Sequence, residues 1–179
     1  MEIYQPAEDS YFLSEVLTNY LSGKSKQIRI LDMGSGSGIQ AQACKQLGFN
    51  NILTADINKE AVENLKKQGF KSIHSDLFLN INKKEKFDLI IFNPPYLPEH
   101  KYDQEKDTTG GKKGFETIIK FLKQAKKYLN KNGDILLLFS SFSQLKIIIE
   151  KAESLGYKLK ELSSKKLFFE ELYVYEFEL

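Results

Sequence analysis

The sequence predicts a three-layer α/β fold with a mainly parallel sheet. Short apolar runs alternate along it with stripes of apolar residues at helical spacing. Residues 135–139 are continuously apolar, as expected of a central parallel strand covered on both faces. The first strand-like run leads straight into a turn holding Gly34, Gly36 and Gly38, and a helical pattern follows.

In chain order, apolar residues at 12, 13, 16, 17, 20 and 21 place a helix over 8–21, and Gly23-Lys24-Ser25 ends it. A strand is expected over 28–33, a helix over 39–47 and a second strand over 51–57. Asn58 is a good N-cap for a helix over 59–68. Residues 71–74 and 89–92 read as the third and fourth strands, the latter inside the apolar run that starts at Phe87. Phe115, Ile118, Ile119, Leu122, Ala125 and Leu129 trace the next helix, expected to stop at Asn132-Gly133. After the strand at 135–139, apolar residues at 145, 148, 149, 152 and 155 mark a helix over 144–155. Residues 158–162 and 172–179 alternate, which predicts an antiparallel pair at one sheet edge. The expected unit is a single domain over 1–179, with a helical entry segment at 1–27 and an α/β core at 28–179.

With 179 residues, 41% of them hydrophobic and 28% charged, the chain is sized and composed for one globular core. No apolar stretch reaches membrane-spanning length and the N-terminus lacks a signal-peptide pattern, so a cytoplasmic location is expected. The single cysteine, Cys44, cannot form an intrachain disulfide. With His74 and His100 it lacks metal-ligand spacing, so no metal site is expected. The net charge of +2 rests on lysines, and Arg29 is the single arginine. Nucleic-acid readers usually deploy Arg for bidentate contacts, and Lys pairs such as Lys66-Lys67 and Lys126-Lys127 fit a solvated surface.

The glycine turn is preceded by Asp32, and this narrows the ligand. A dinucleotide fingerprint requires its third glycine where Ile39 stands. An acid two residues before Gly34 also repels phosphate, but it suits a cationic head such as an α-ammonium. Asp56 closes the second strand, where an acid can accept hydrogen bonds from both ribose hydroxyls. Asp76 follows the third strand and can accept from an adenine amine, with Leu77 packing on the ring. Taken singly, Asp32 and Asp56 also read as turn residues and Asp76 as a helix cap. Three such acids at successive strand ends, beside the glycines, point to a ligand with an ammonium, a ribose and an adenine but no phosphate. S-Adenosylmethionine is that ligand.

Asn93-Pro94-Pro95-Tyr96 follows the fourth strand at its carboxyl end, where open α/β sheets place ligands. An amide or aniline-like NH2 is a poor nucleophile because its lone pair is conjugated. The Asn93 side-chain oxygen and the Pro94 carbonyl can hold both N–H bonds and aim the lone pair at an electrophile. The prolines fix φ and remove competing donors, and Tyr96 offers a flat face to a planar amide or base. Asn-Pro-Pro alone also reads as a strand-ending turn.

Together, Asp32-x-Gly34-x-Gly36-x-Gly38, Asp56, Asp76-Leu77 and Asn93-Pro94-Pro95-Tyr96 resemble a class I S-adenosylmethionine-dependent methyltransferase of the amino-methylating type. Tyr4-Gln5-Pro6-Ala7-Glu8-Asp9-Ser10 is similar to the Y-x-P-x-E-D-T entry of HemK-related enzymes. These methylate the glutamine of Gly-Gly-Gln in class I peptide-chain release factors, and the likeness is to their short eukaryotic and archaeal branch. The resemblance implies a Rossmann-like core with a seven-stranded sheet. It implies cofactor contacts from Ser10 (a hydroxyl where the family has Thr), Asp32, Gly34, Asp56, Asp76, Leu77 and Asn93, with Gly36 and Gly38 in the same turn. It implies a cradle for the substrate glutamine at Asn93, Pro94, Pro95 and Tyr96, continued by Leu97. The family pattern extends through Gly110-Gly111-x-x-Gly114, with Lys113 where relatives often carry an acid or its amide. A small zinc-binding activator protein is implied as heterodimer partner. Two other readings stay open: a methyltransferase of adenine or guanine amines in RNA or DNA, against which counts the expectation that the fold uses the whole chain and leaves no target-recognition domain, and a non-catalytic cofactor-binding subunit.

Overall fold

The computed structural model describes residues 3–95 and 114–179. The described chain runs α1 (Glu8–Leu21), β1 (Ile30–Met33), α2 (Ile39–Gln46), β2 (Ile52–Asp56), α3 (Lys59–Lys67), β3 (Lys71–His74) and β4 (Phe87–Phe92). It continues through α4 (Glu116–Ala125), β5 (Leu129–Ser140), α5 (Leu145–Ser154), β6 (Lys158–Lys166) and β7 (Glu171–Glu178). The strands form one seven-stranded sheet in the order β3-β2-β1-β4-β5-β7-β6. β7 runs antiparallel to both β5 and β6, and the other pairings are parallel.

Period-2 alternation in β1, β4 and β5 divides the apolar side chains between two layers. Leu31, Met33, Ile90, Phe92, Ile135 and Leu137 face the layer of α4 and α5. Ile30, Leu89, Ile91, Leu136 and Leu138 face α1 and α2. Burial on both faces explains why these runs read as continuously apolar. α1 is further tied to the sheet through Asp134, which accepts from the Tyr20 hydroxyl and lies 3.2 Å from the Lys24 ammonium. Among the described residues, no helix is long and apolar enough to cross a membrane.

One predicted boundary is corrected. The helix expected to continue through Leu129 ends at Ala125, and Asn132-Gly133 lies inside β5. The β4–β5 register jumps between Phe87↔Leu129 and Leu89↔Asp134. Asn132 takes the irregularity at φ 63, and a Cβ on Gly133 would stand 2.8 Å from the Phe87 carbonyl. This turn-forming pair therefore builds a bulge in a strand, one of the uses glycine serves in sheets. The Asn58 cap is as predicted, its side chain accepting from the Glu60 N–H at 2.9 Å.

Candidate active site

Strand order reverses between β1 and β4, so the crevice beyond their carboxyl ends is the switch point where α/β sheets hold ligands. Met33 and Phe92 are register partners, so the Gly34 turn and Asn93 leave the sheet side by side. Gly34 has φ 61, and an added Cβ would meet the Phe92 ring at 3.0 Å. Gly38 has φ 90, and a Cβ there would be 2.6 Å from Leu65. Both positions need glycine for conformation and space together.

Asp32 lies beneath the first turn of α2. It is buried, and its Oδ2 accepts from the Ala41 N–H at 3.2 Å. Burial, with the nearby Asp56 adding to it, pushes its carboxyl up to about 7 against the pull of the Ala41 N–H. Among the described residues no Lys or Arg forms an ion pair with it. An acid already occupying a helix N-terminus excludes pyrophosphate from that place.

Asp56 ends β2 and organises the loops around it. One oxygen accepts from the Gly36 N–H at 2.7 Å and the other from the Asn58 N–H at 2.7 Å. Ile57, next in sequence, is an exposed apolar side chain, and its carbonyl is 2.9 Å from the His74 ring.

At the β3 end the surroundings change. Asp76 is exposed, and the Lys120 ammonium from α4 lies 3.1 and 2.9 Å from its two oxygens. Leu77 is buried at φ 48, a strained setting for a side-chain-bearing residue. Ser75 holds it there: its hydroxyl donates to the Leu77 carbonyl at 2.6 Å and accepts from the Asn80 N–H at 3.0 Å.

Asn93 is positioned from across the molecule. Its Nδ2 donates to Asp9 Oδ2 at 2.8 Å, and Asp9 is buried in the first turn of α1. Asp9 Oδ1 also accepts from the Tyr4 hydroxyl at 3.0 Å and the Ser10 hydroxyl at 3.3 Å. A carboxylate acceptor leaves one choice for the Asn93 amide, NH2 toward Asp9 and oxygen away. That oxygen, Asn93 Oδ1, is buried with no hydrogen-bond partner among the described residues. Such an orphan acceptor is costly, which is the signature of a group reserved for a ligand. Pro94 beside it is buried, and Pro95 partly so.

The structure thus brings Ser10, Asp32, Gly34, Gly36, Gly38, Asp56, Asn93, Pro94 and Pro95 to one side of the sheet, with Asp76 and Leu77 at its β3 margin. Tyr96, Leu97, Gly110, Gly111 and Lys113 lie outside the described residues, as does His100. Sequence reasoning missed the work of Asp9, although it stands inside the quoted entry motif, and it missed Gln40 and Lys120. Gln40 donates to the Ser10 carbonyl at 2.8 Å and keeps a second buried orphan, its Oε1. These partners lie 84, 30 and 44 positions apart.

Comparison with known proteins gives the family and the fold. Residues 10–162 match the family model of the methyltransferase small domain. A Methanocaldococcus jannaschii protein, named provisionally as a protein N5-glutamine methyltransferase, is 37% identical over 97% of this chain and 90% of its own. The ribosomal RNA small subunit methyltransferase C of Buchnera aphidicola is 30% identical over 89% of this chain, but over only 44% of its own length. Among solved structures, the E. cuniculi Mtq2–Trm112 complex, described as responsible for methylating the eRF1 translation termination factor, superposes with a TM-score of 0.82 at 27% identity, covering 99% of both chains. The seven-stranded sheet, the match over 10–162 and the relative at 37% identity place the chain in one family: it belongs to the methyltransferase small domain proteins.

Proposed function

We propose that this methyltransferase acts on the side-chain amide nitrogen of a protein glutamine, that of the Gly-Gly-Gln motif in a class I peptide-chain release factor. The observation that carries the proposal is Asn93 Oδ1, buried and without a hydrogen-bond partner among the described residues while Nδ2 is clamped by Asp9. The cofactor is S-adenosylmethionine, which supplies a methyl group made electrophilic by its sulfonium. The chain's residues fit it: buried Asp32, with no Lys or Arg ion pair among the described residues, suits an ammonium, Asp56 ends β2 where an acid can accept from ribose hydroxyls, and Gly34 and Gly38 leave room for close approach. Ser10 and the exposed apolar Ile57 complete the proposed cofactor surface, with Asp76 and Leu77 at the adenine end.

In this reading Asn93 Oδ1 and the Pro94 carbonyl accept the two N–H bonds of the substrate amide. The nitrogen lone pair turns out of conjugation toward the methyl, and the acceptors stabilise charge building on nitrogen. No strong base is required, because the amide proton becomes acidic only as the carbon–nitrogen bond forms. Tyr96 and Leu97 are proposed to finish the cradle. A small zinc-binding partner protein is proposed to cover a sheet edge, where β3 and β6 offer unpaired backbone groups.

The ribosomal RNA relative keeps a second reading in play, since an exocyclic base amine poses the same chemical problem. The test is methyl transfer from labelled S-adenosylmethionine to a recombinant release factor and to its Gln→Ala variant at Gly-Gly-Gln, with RNA and DNA as competitors and with the small partner added or omitted. Label on the wild-type factor that disappears in the variant is the expected result. Label on nucleic acid alone would overturn the substrate class.

A further inference from the structure

The tip of the β6–β7 hairpin carries side chains that its turn does not need. The Leu167 N–H donates to the Glu170 carbonyl at 2.8 Å, so Phe168 and Phe169 form the centre of the reversal. Neither residue has a positive φ, so the turn's backbone calls for no particular side chain at either place, and nothing in its geometry asks for two large apolar rings. Both rings stand in solvent, 91% and 82% exposed, the highest values among the large apolar residues described. They pack edge to face at 4.6 Å and 81°, and belong to neither apolar core layer. Adjacent exposed aromatics of this kind mark an interaction site.

The tip has a fixed address. Leu172 lies opposite Ser140, the last residue of β5, so the hairpin projects from the side of the sheet that holds Asp32, Asp56 and Asn93. Lys165 Nζ is 3.6 Å from Glu8 Oε2, and the neighbouring Asp9 is the residue that clamps Asn93. The Glu171 N–H donates to Ser141 Oγ at 3.1 Å. The hairpin root is therefore pinned both to the entry helix and to the end of the central strand.

We propose that Phe168 and Phe169 are a docking anchor for the polypeptide that presents the target glutamine. This rests on the protein-glutamine reading above and deepens it. One glutamine side chain offers little contact area, so a folded substrate has to be gripped away from Asn93, and exposed aromatic anchors supply most of the energy of such contacts. The local chemistry favours polypeptide over nucleic acid. Glu170 and Glu171 follow the pair, Lys165 is already engaged by Glu8, and edge-on rings present no parallel platform for bases.

The test compares the wild-type chain with the double variant Phe168→Ser, Phe169→Ser. Substrates are a full-length class I release factor and a short Gly-Gly-Gln peptide, with the small partner protein present throughout. The expected result is a KM for the release factor raised about thirtyfold, the loss typical of an interface anchor. The kcat at saturation, peptide turnover and Tm should stay unchanged, and the double Leu variant should recover part of the KM. An unchanged KM for the full-length factor overturns the anchor and leaves the glutamine reading intact. An unchanged KM together with lost binding to RNA, to the small partner or to anionic vesicles overturns it and assigns the tip to that ligand. A wild-type chain that methylates neither substrate removes the glutamine reading and this inference together.

Discussion

The centre of the sheet and its β3 edge carry acids placed by the same strand-end logic, yet the two regions are built differently. At the centre, Asp32 and Asn93 Oδ1 are buried and, among the described residues, Asp32 has no ion-pair cation and Asn93 Oδ1 no donor. At the edge, Asp76 faces water and already holds Lys120. Groups kept unsatisfied in a buried crevice cost free energy until a ligand arrives, and interactions made there gain strength from the low dielectric. Groups paired in water gain little from exchanging one partner for another. Chemistry and cofactor discrimination should therefore sit at β1 and β4, with β3 tuning affinity.

The largest effect is expected at Asn93. Asn93→Ala should lower methyl-transfer kcat about a thousandfold, as for loss of a transition-state hydrogen-bonding group, while the cofactor Kd by calorimetry stays within about threefold. Normal turnover by this variant would falsify the role given to Asn93. Asp9 comes next, because it acts through the Asn93 amide rather than on substrate. Asp9→Ala should lower kcat about a hundredfold, the scale of a small misplacement of a reacting group. Asp9→Asn keeps an oxygen acceptor for Nδ2 and should recover much of that loss. Equal defects in both variants would mean that only the charge of Asp9 matters.

Asp32 sharpens the contrast through pH. Its carboxyl rises from the ordinary 3.8 to about 7 on folding because it is desolvated. Between these values the folded state holds a proton that the unfolded state has released. Stability of the unliganded protein should therefore fall as pH rises from about 4 to about 7 and level off above. Asp32→Asn should flatten that slope and add up to about 4 kcal/mol at pH 8. Ligand binding runs the other way, since only the ionised carboxylate attracts an ammonium. Affinity for S-adenosylmethionine should drop about tenfold per pH unit below 7 in the wild-type chain, and Asp32→Asn should bind weakly at every pH. A wild-type Kd that is flat from pH 5 to 8 would contradict the assignment of Asp32 to the cofactor's cation.

What the sequence made legible follows the range of the interactions. Strands at β1, β4 and β5 and the helical stripe of α1 rest on local periodicity, and the Asn58 cap lies two residues from the Glu60 N–H that it meets. The error at Leu129 has the same source: this residue continues the α4 stripe in register, and nothing local announces that Asn132-Gly133 bends a strand against Phe87. In the site, the acids and glycines could be placed because each ends a recognisable strand. The clamp from Asp9 to Asn93, the pair between Lys120 and Asp76 and the tie between Lys165 and Glu8 are products of tertiary packing. No period or turn signal encodes a partner 84 or 44 positions away.

The smallest effect expected is at Lys120, and it tests the edge half of the contrast. Its ammonium lies 3.1 and 2.9 Å from the two Asp76 oxygens, with both side chains about half exposed. An exposed pair of this kind contributes under about 1 kcal/mol. Removing it therefore leaves Asp76 hydrated and still able to accept from an adenine amine. Lys120→Ala should change cofactor Kd by less than about threefold, with kcat untouched, and the difference should vanish in 0.5 M salt as screening removes the pair. Asp76→Ala, which deletes the acceptor itself, should cost about tenfold in Kd. If Lys120→Ala instead lowered kcat on the scale of Asp9→Ala, α4 would be coupled to the reacting centre. The division between a chemical core at β4 and a tuning edge at β3 would then have to be redrawn.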